Sequence, residues 1–328
     1  MKAIDVHTHV VPAHIAHEAG RDRLWPSVSA TGPDEAAVVI DGKPFRVVDS
    51  RSWDVERRLD DMARENVATQ ALSPMPELLS HWIAAADADY LAGIVNERIA
   101  AMVAAAPDHF IGLGMIAAQD VPRARSGLRR VAELGLAGIE IGTHINGVPL
   151  GDPSLWPIYE EAEANDLAIF VHPLRPCGLE RIGKPSEIGL VASFPLEIAM
   201  AALSLMGGGV LKRFPRLRFL LSHGGGALPS VLGRLEMTRK LLPAVGEVLG
   251  DDAWQIARRF WYDSNVYDPG TLSVLADRIG LDRLGVGADY PFLIRQPNPG
   301  AFVEEAIPGG VESCCANAHA LLKKGRPS

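Results

Sequence analysis

The chain is poor in cysteine, in basic charge and in long apolar runs, and each scarcity narrows what it can be. Three cysteines occur among 328 residues, too few for a disulfide framework, so a reducing, cytoplasmic setting is expected. Two of them, Cys314 and Cys315, are adjacent and read as helix-packing residues. Acids outnumber bases by 40 to 32, for a formal net charge of −8, and no basic run or RNA-binding signature is present. That balance argues against a nucleic-acid partner. The opening MKAID lacks the apolar core of a signal peptide, and no apolar run reaches the length expected of a membrane span. No GxGxxG follows the first apolar run, and the GGG at 207–209 and at 224–226 lacks the Lys-Ser/Thr of a phosphate loop. Nucleotide binding and nicotinamide or flavin chemistry lose support, and no organic cofactor is expected.

What is present is a steady alternation. Apolar runs at 3–7, 68–73, 110–115, 137–142, 167–172, 217–223, 259–264 and 284–289 read as eight strands. Between them lie amphipathic stretches such as 54–66, 121–135 and 152–166, several opening on Asp, Ser or Pro as helices do. Strands apolar on both faces imply a parallel sheet, and eight strand–helix units in this length predict an α/β fold, a (β/α)8 TIM-type barrel. A single domain over 1–328 is expected. It carries an insertion at 12–50 after the first strand, with a hairpin at 38–48 turning on Asp41-Gly42. An irregular Gly- and Pro-rich loop is expected at 174–194, after the fifth strand.

The chemistry gathers at strand ends. His7 and His9 end the first strand, His172 the fifth, His223 the sixth and Asp289 the eighth. Residues two apart on a strand face one side, and a parallel barrel brings all its carboxyl ends to one rim. Singly, each of these is explained as a buried histidine, a turn or a cap; together they point to a metal. Imidazoles with one carboxylate form a borderline-soft set suited to Zn²⁺ first, with Mn²⁺, Fe²⁺ or Co²⁺ as alternatives. With His7, His9, His172 and Asp289 as ligands, His223 is left to orient or accept a proton beside the metal's open position.

The ordered series DVHTH, DGKPFRVV, FVHP, HGGGALPSVLGR and GADYPF resembles the amidohydrolase superfamily. Within it the chain is similar to the decarboxylase branch, and most similar to the aminocarboxymuconate-semialdehyde decarboxylases. The resemblance runs through nearly the whole chain. It implies one divalent metal held by His7, His9, His172 and Asp289, with no bridging lysine after the fourth strand. It also implies His223 as the catalytic histidine, Arg46 as a clamp on a substrate carboxylate and Phe292 as a wall of the pocket. Arg234 would be donated across the interface of a homodimer. The implied reaction is non-oxidative loss of CO₂ from a conjugated or aromatic carboxylic acid, with Asp289 a further candidate proton donor. Hydrolysis of a lactone or amide is the alternative. The chain departs from the pattern at His172-Pro173-Leu174-Arg175, around Leu190, and at Val266-Tyr267-Asp268, so the metal centre is matched more closely than the pocket walls.

Overall fold

The structure, a computed structural model, describes residues 1–185 and 187–323. In chain order its strands begin with β1 (Ala3–Val10), followed by the inserted strands β2 (Ser27–Ala30), β3 (Glu35–Ile40) and β4 (Lys43–Asp49). Next come β5 (Val67–Pro74), β6 (Phe110–Gly114), β7 (Gly138–Gly142) and a small pair, β8 (His144–Ile145) and β9 (Val148–Pro149). The last four are β10 (Ala168–His172), β11 (Arg218–Leu221), β12 (Trp261–Asp263) and β13 (Leu284–Gly285). Eight of them form one sheet in the order β1-β5-β6-β7-β10-β11-β12-β13, every neighbour parallel.

The sheet closes on itself. The Val6 N–H donates to the Val286 carbonyl at 2.8 Å, and the His9 N–H donates to the Tyr290 carbonyl at 2.7 Å. Asp5 bridges the same seam, its Oδ1 accepting from the N–H groups of His7 and Ala288, each at 3.1 Å. The result is the expected (β/α)8 barrel. All eight residues of β1 are buried, as an apolar strand covered on both faces should be. Intervening helices start where short acids cap them: Asp54, Asp120 and Asp268 each accept from a backbone N–H of the helix they precede.

Three expectations are corrected. The insertion is a three-stranded sheet rather than a lone hairpin, because Ser27–Ala30 pairs antiparallel with β3. The loop expected at 174–194 ends early, since a helix runs Glu187–Gly207 with Pro195 inside it. Its apolar side is buried through Ile198, Ala202 and Leu205, and that packing outweighs the helix-breaking character of Gly189 and Pro195. By length and composition this helix is also apolar enough to cross a membrane, contrary to the expectation that no run was. Its carboxylate Glu197 is buried and accepts from the Thr143 hydroxyl at 2.8 Å and from the Cys177 N–H at 3.0 Å, as a core helix of the barrel wall would. Cys314 and Cys315 are buried in the helix Gly310–Leu322, as anticipated.

Gly138 is required by the closeness of β7 to β10. A Cβ there would lie 2.2 Å from the Ala168 carbonyl oxygen. Gly138→Ala is therefore expected to cost about 1–3 kcal/mol of stability, read as a lower melting temperature. An unchanged melting temperature would contradict this account of the β7–β10 contact.

Candidate metal centre and active site

The period of a strand places His7 and His9 on the interior face of β1, with Thr8 turned outward to donate to the Ala71 carbonyl at 2.7 Å. His172 is the last residue of β10, and Asp289 lies just beyond β13. Their potential ligand atoms all lie within 4.8 Å of one another, and all four residues are buried. Phe170, two residues before His172, sets its ring edge-on to His7 with centroids 4.9 Å apart and forms the floor of the cluster.

Hydrogen bonds fix which nitrogen each imidazole offers. His9 Nδ1 bonds the Pro74 carbonyl at 2.9 Å and His172 Nδ1 bonds the Pro173 carbonyl at 3.0 Å. A carbonyl only accepts, so in the neutral ring that binds a metal Nδ1 carries the proton and Nε2 keeps its lone pair. His7 Nδ1 bonds Asp263 Oδ2 at 2.6 Å, a carboxylate behind an imidazole, which has the same effect. The three Nε2 atoms are thus free on the cluster side. His7 Nε2 and His9 Nε2 lie 3.1 Å apart, and Asp289 Oδ1 is 3.3 Å and 3.1 Å from them. His172 Nε2 is buried with no hydrogen-bond partner among the described residues.

The electrostatics ask for positive charge. Burial opposes protonation of His7, yet Asp289 and Asp263 beside it outweigh that and push it up to about 10. Burial likewise opposes His9, but Glu140 and Asp289 push it up to about 9. His172 is held well below its ordinary value, by burial first and then by His9 and His7. Asp289 stays ionised despite burial because of His7 and His9. Buried carboxylates without counter-charge cost several kcal/mol each. Three imidazole lone pairs and a carboxylate at this spacing fit a divalent cation.

His223 follows β11, its ring centroid 5.2 Å from that of His7 and 5.3 Å from that of His172. Its Nδ1 faces the Asn265 amide nitrogen at 3.3 Å, so the neutral ring carries its proton on Nε2, which is buried and unpartnered among the described residues. The glycines after it have a physical reason. Gly224, Gly225 and Gly226 have φ of 61°, 76° and 59°, a run of positive φ that glycine adopts without strain, and a Cβ on Gly226 would meet the Pro195 carbonyl at 2.3 Å. Asp263 fixes this turn. Its Oδ2 accepts from the His223 N–H at 3.0 Å, and its Oδ1 from the N–H groups of Gly224 and Asn265 at 2.9 and 3.0 Å.

The remaining anticipated residues divide. Phe292 stacks on His9 with centroids 4.8 Å apart. Arg46 reaches in from β4, its guanidinium carbon 4.7 Å from the Phe292 ring centroid and one nitrogen 3.7 Å from Glu77. Arg234 is not drawn in: its side chain is exposed on the helix Leu228–Leu241. Sequence reasoning passed over Asp263, although an acid at the end of a strand was the signal used for Asp289. It also passed over Arg58, which is fully buried and donates to the carbonyl of His9, to Gln70 at 2.9 Å and to the Arg51 carbonyl at 2.7 Å.

Asp263→Asn is expected to weaken divalent-metal affinity by about 10–100-fold, measured by chelator competition, whereas His172→Ala should lose the metal outright with the fold retained. Equal metal affinity in Asp263→Asn and wild type would refute the role given to the His7–Asp263 bond.

Comparison with known proteins agrees with this geometry. The amidohydrolase family model matches residues 4–317. The chain is 36% identical to 2-amino-3-carboxymuconate-6-semialdehyde decarboxylase of Dictyostelium discoideum, over 92% of this chain and 85% of that one. It is 28% identical to gamma-resorcylate decarboxylase of a Polaromonas species, over 79% and 83% of the two chains. Among solved structures, 5-carboxyvanillate decarboxylase from Sphingomonas paucimobilis superposes with a TM-score of 0.80 at 26% identity, covering 99% of each chain. The eight-stranded barrel with its histidine and aspartate cluster belongs to the amidohydrolase family.

Proposed function

We propose that the chain is a metal-dependent non-oxidative decarboxylase, a carbon–carbon lyase acting on a conjugated or aromatic carboxylic acid. The observation that carries this is the stack of Arg46 on Phe292 and of Phe292 on His9, which sets a carboxylate-binding guanidinium beside the donor cluster. The two relatives named above, both decarboxylases, support it. An aminocarboxymuconate-semialdehyde-like acid is the first substrate class, and a hydroxylated benzene or pyridine carboxylate the second.

His7, His9, His172 and Asp289 would hold the cation, and the donor set favours zinc. When bound, the metal stabilises negative charge that develops on the substrate as the carbon–carbon bond breaks. Arg46 binds a carboxylate through its planar fork, and Phe292 provides a flat apolar wall for a conjugated system. The electron pair of the broken bond stays on carbon, and that carbon gains a proton while CO₂ leaves. His223, whose Nε2 is buried without a hydrogen-bond partner among the described residues, is placed to hold and move this proton; Asp289, ionised at rest, would deliver it only after first taking a proton from water or from the substrate. The three unpaired cysteines suit a reducing, cytoplasmic compartment.

Zinc-loaded protein is expected to release CO₂ from 2-amino-3-carboxymuconate 6-semialdehyde, and His223→Ala to keep its metal while losing about 10²–10⁴-fold in turnover. Cleavage of a lactone or amide without CO₂ release would establish the hydrolase instead. Loss of metal in step with activity would make His223 a ligand.

A homodimer completes the proposal. Ile188, Val191, Leu196 and Met200 are exposed on the helix Glu187–Gly207, and Met237 and Leu241 on the helix Leu228–Leu241 that packs beside it. Val191 is 74% exposed. An apolar face of this kind is suited to burial against a second copy, and Arg234 shares its helix. Mixing Arg234→Ala with His223→Ala under subunit exchange should restore activity in about half the sites of each mixed dimer. No recovery despite demonstrated exchange would confine Arg234 to its own chain.

A further inference from the structure

The β3–β4 hairpin turns at Asp41 and Gly42, whose φ values are 54° and 69°. Such a turn suits the twist of a two-residue hairpin and leaves the Asp41 carboxylate at its tip. Oδ2 of Asp41 accepts from the Arg175 guanidinium, and Oδ1 is buried with no hydrogen-bond partner among the described residues. Arg175 lies three residues past His172, in the loop that leaves β10. Its guanidinium carbon sits 3.4 Å from the centroid of the Trp82 ring. Trp82 in turn belongs to the segment after β5 that also supplies Glu77 to Arg46. Arg175 has a φ of 48°, a left-handed conformation that a non-glycine residue adopts only when its surroundings hold it. Three pieces of the barrel's carboxyl rim meet at this one side chain.

We propose that Arg175 is a positioning residue: it straps the tip of the inserted hairpin onto Trp82 and thereby sets Arg46 beside Phe292 and the metal cluster. The inference rests on Arg46 as the anchor of the substrate carboxylate. Asp41 and Arg46 sit on one hairpin, five residues apart. β4 is paired to β3, with Arg46 opposite Val38, but its side chains Phe45 and Val47 are 41% and 61% exposed, so the ladder fixes Arg46 within the hairpin while the Asp41–Arg175 contact ties the tip to the barrel. The contact of Arg46 with Glu77, at 3.7 Å, is too long for a hydrogen bond. An exposed ion pair alone contributes little. Here it is combined with a cation stacked on an indole, the best aromatic partner for a guanidinium. Loss of the strap frees the hairpin, so it weakens substrate binding more than it slows the chemical step.

The test compares Arg175→Ala with wild type, using metal content as the check on folding. Hydrogen exchange over residues 38–49 is expected to quicken. On 2-amino-3-carboxymuconate 6-semialdehyde, KM should rise about fivefold or more with kcat nearly unchanged. Arg175→Lys, which keeps the charge but loses the planar stack, falls between. The charge swap Asp41→Arg with Arg175→Asp, which restores the ion pair but not the stack on Trp82, should recover only part of the loss, and Arg175→Ala should add nothing further to Arg46→Ala. Unchanged exchange overturns the proposal. So does a fall in kcat at constant KM, or an independent, multiplying effect of the two arginine substitutions. If wild type releases no CO₂, the decarboxylase reading fails, while the exchange measurement still decides whether Arg175 straps the hairpin.

Discussion

The Asp263 carboxylate is the joint on which the site depends. One of its oxygens takes the His7 Nδ1 proton and the His223 N–H, and the other takes the N–H groups of Gly224 and Asn265. An imidazole of the donor cluster and the turn that carries His223 are therefore positioned by a single fully buried group. Charged hydrogen bonds of this kind are short and stiff. Burial would favour the neutral carboxyl, but His7 beside it keeps Asp263 below the usual carboxylate range, so the acceptor remains an acceptor. His7 cannot rotate away without breaking this bond, and the left-handed glycine turn cannot relax without orphaning two buried N–H groups.

A second, opposite kind of support lies under His9. Arg58 is a buried cation whose closest hydrogen-bond acceptors are uncharged oxygens, the carbonyls of His9 and Arg51 and the amide of Gln70. It lies 4.9 Å from the Tyr290 ring centroid, and burial brings its guanidinium down to about 10. It pins the strand from outside the barrel, while Asp263 pins the cluster from within.

Much of this was legible in the sequence because the strands are doubly buried, and a run such as LAIFVH has few other uses. Strand ends were legible for the same reason: His172 and Asp289 are polar residues at the close of apolar runs. The β2 strand was not, since SVSA is four residues long and half exposed, with no alternation to mark it. The start of the helix at Glu187 was hidden by Gly189 and Pro195, whose local preference tertiary packing overrides. Arg58 was hidden differently. In DVERRLDDMAREN it looks like one charge among many on a solvated face, and only the position of the β1 carbonyls makes it a buried donor. Arg234 resists for a further reason: what its exposed helix face meets is not encoded in the fold of one chain.

The seam that closes the barrel runs through the donor cluster. Asp289 donates its N–H to the His7 carbonyl, and His9 donates to that of Tyr290, so the candidate metal donors and the last interstrand bonds are contributed by the same stretch of chain. A growing chain presents His7 and His9 early and Asp289 only after the rest of the barrel has been made. Metal acquisition then reports that the ring has closed, and a chain truncated or misfolded anywhere between these ends would lack the complete set of donors.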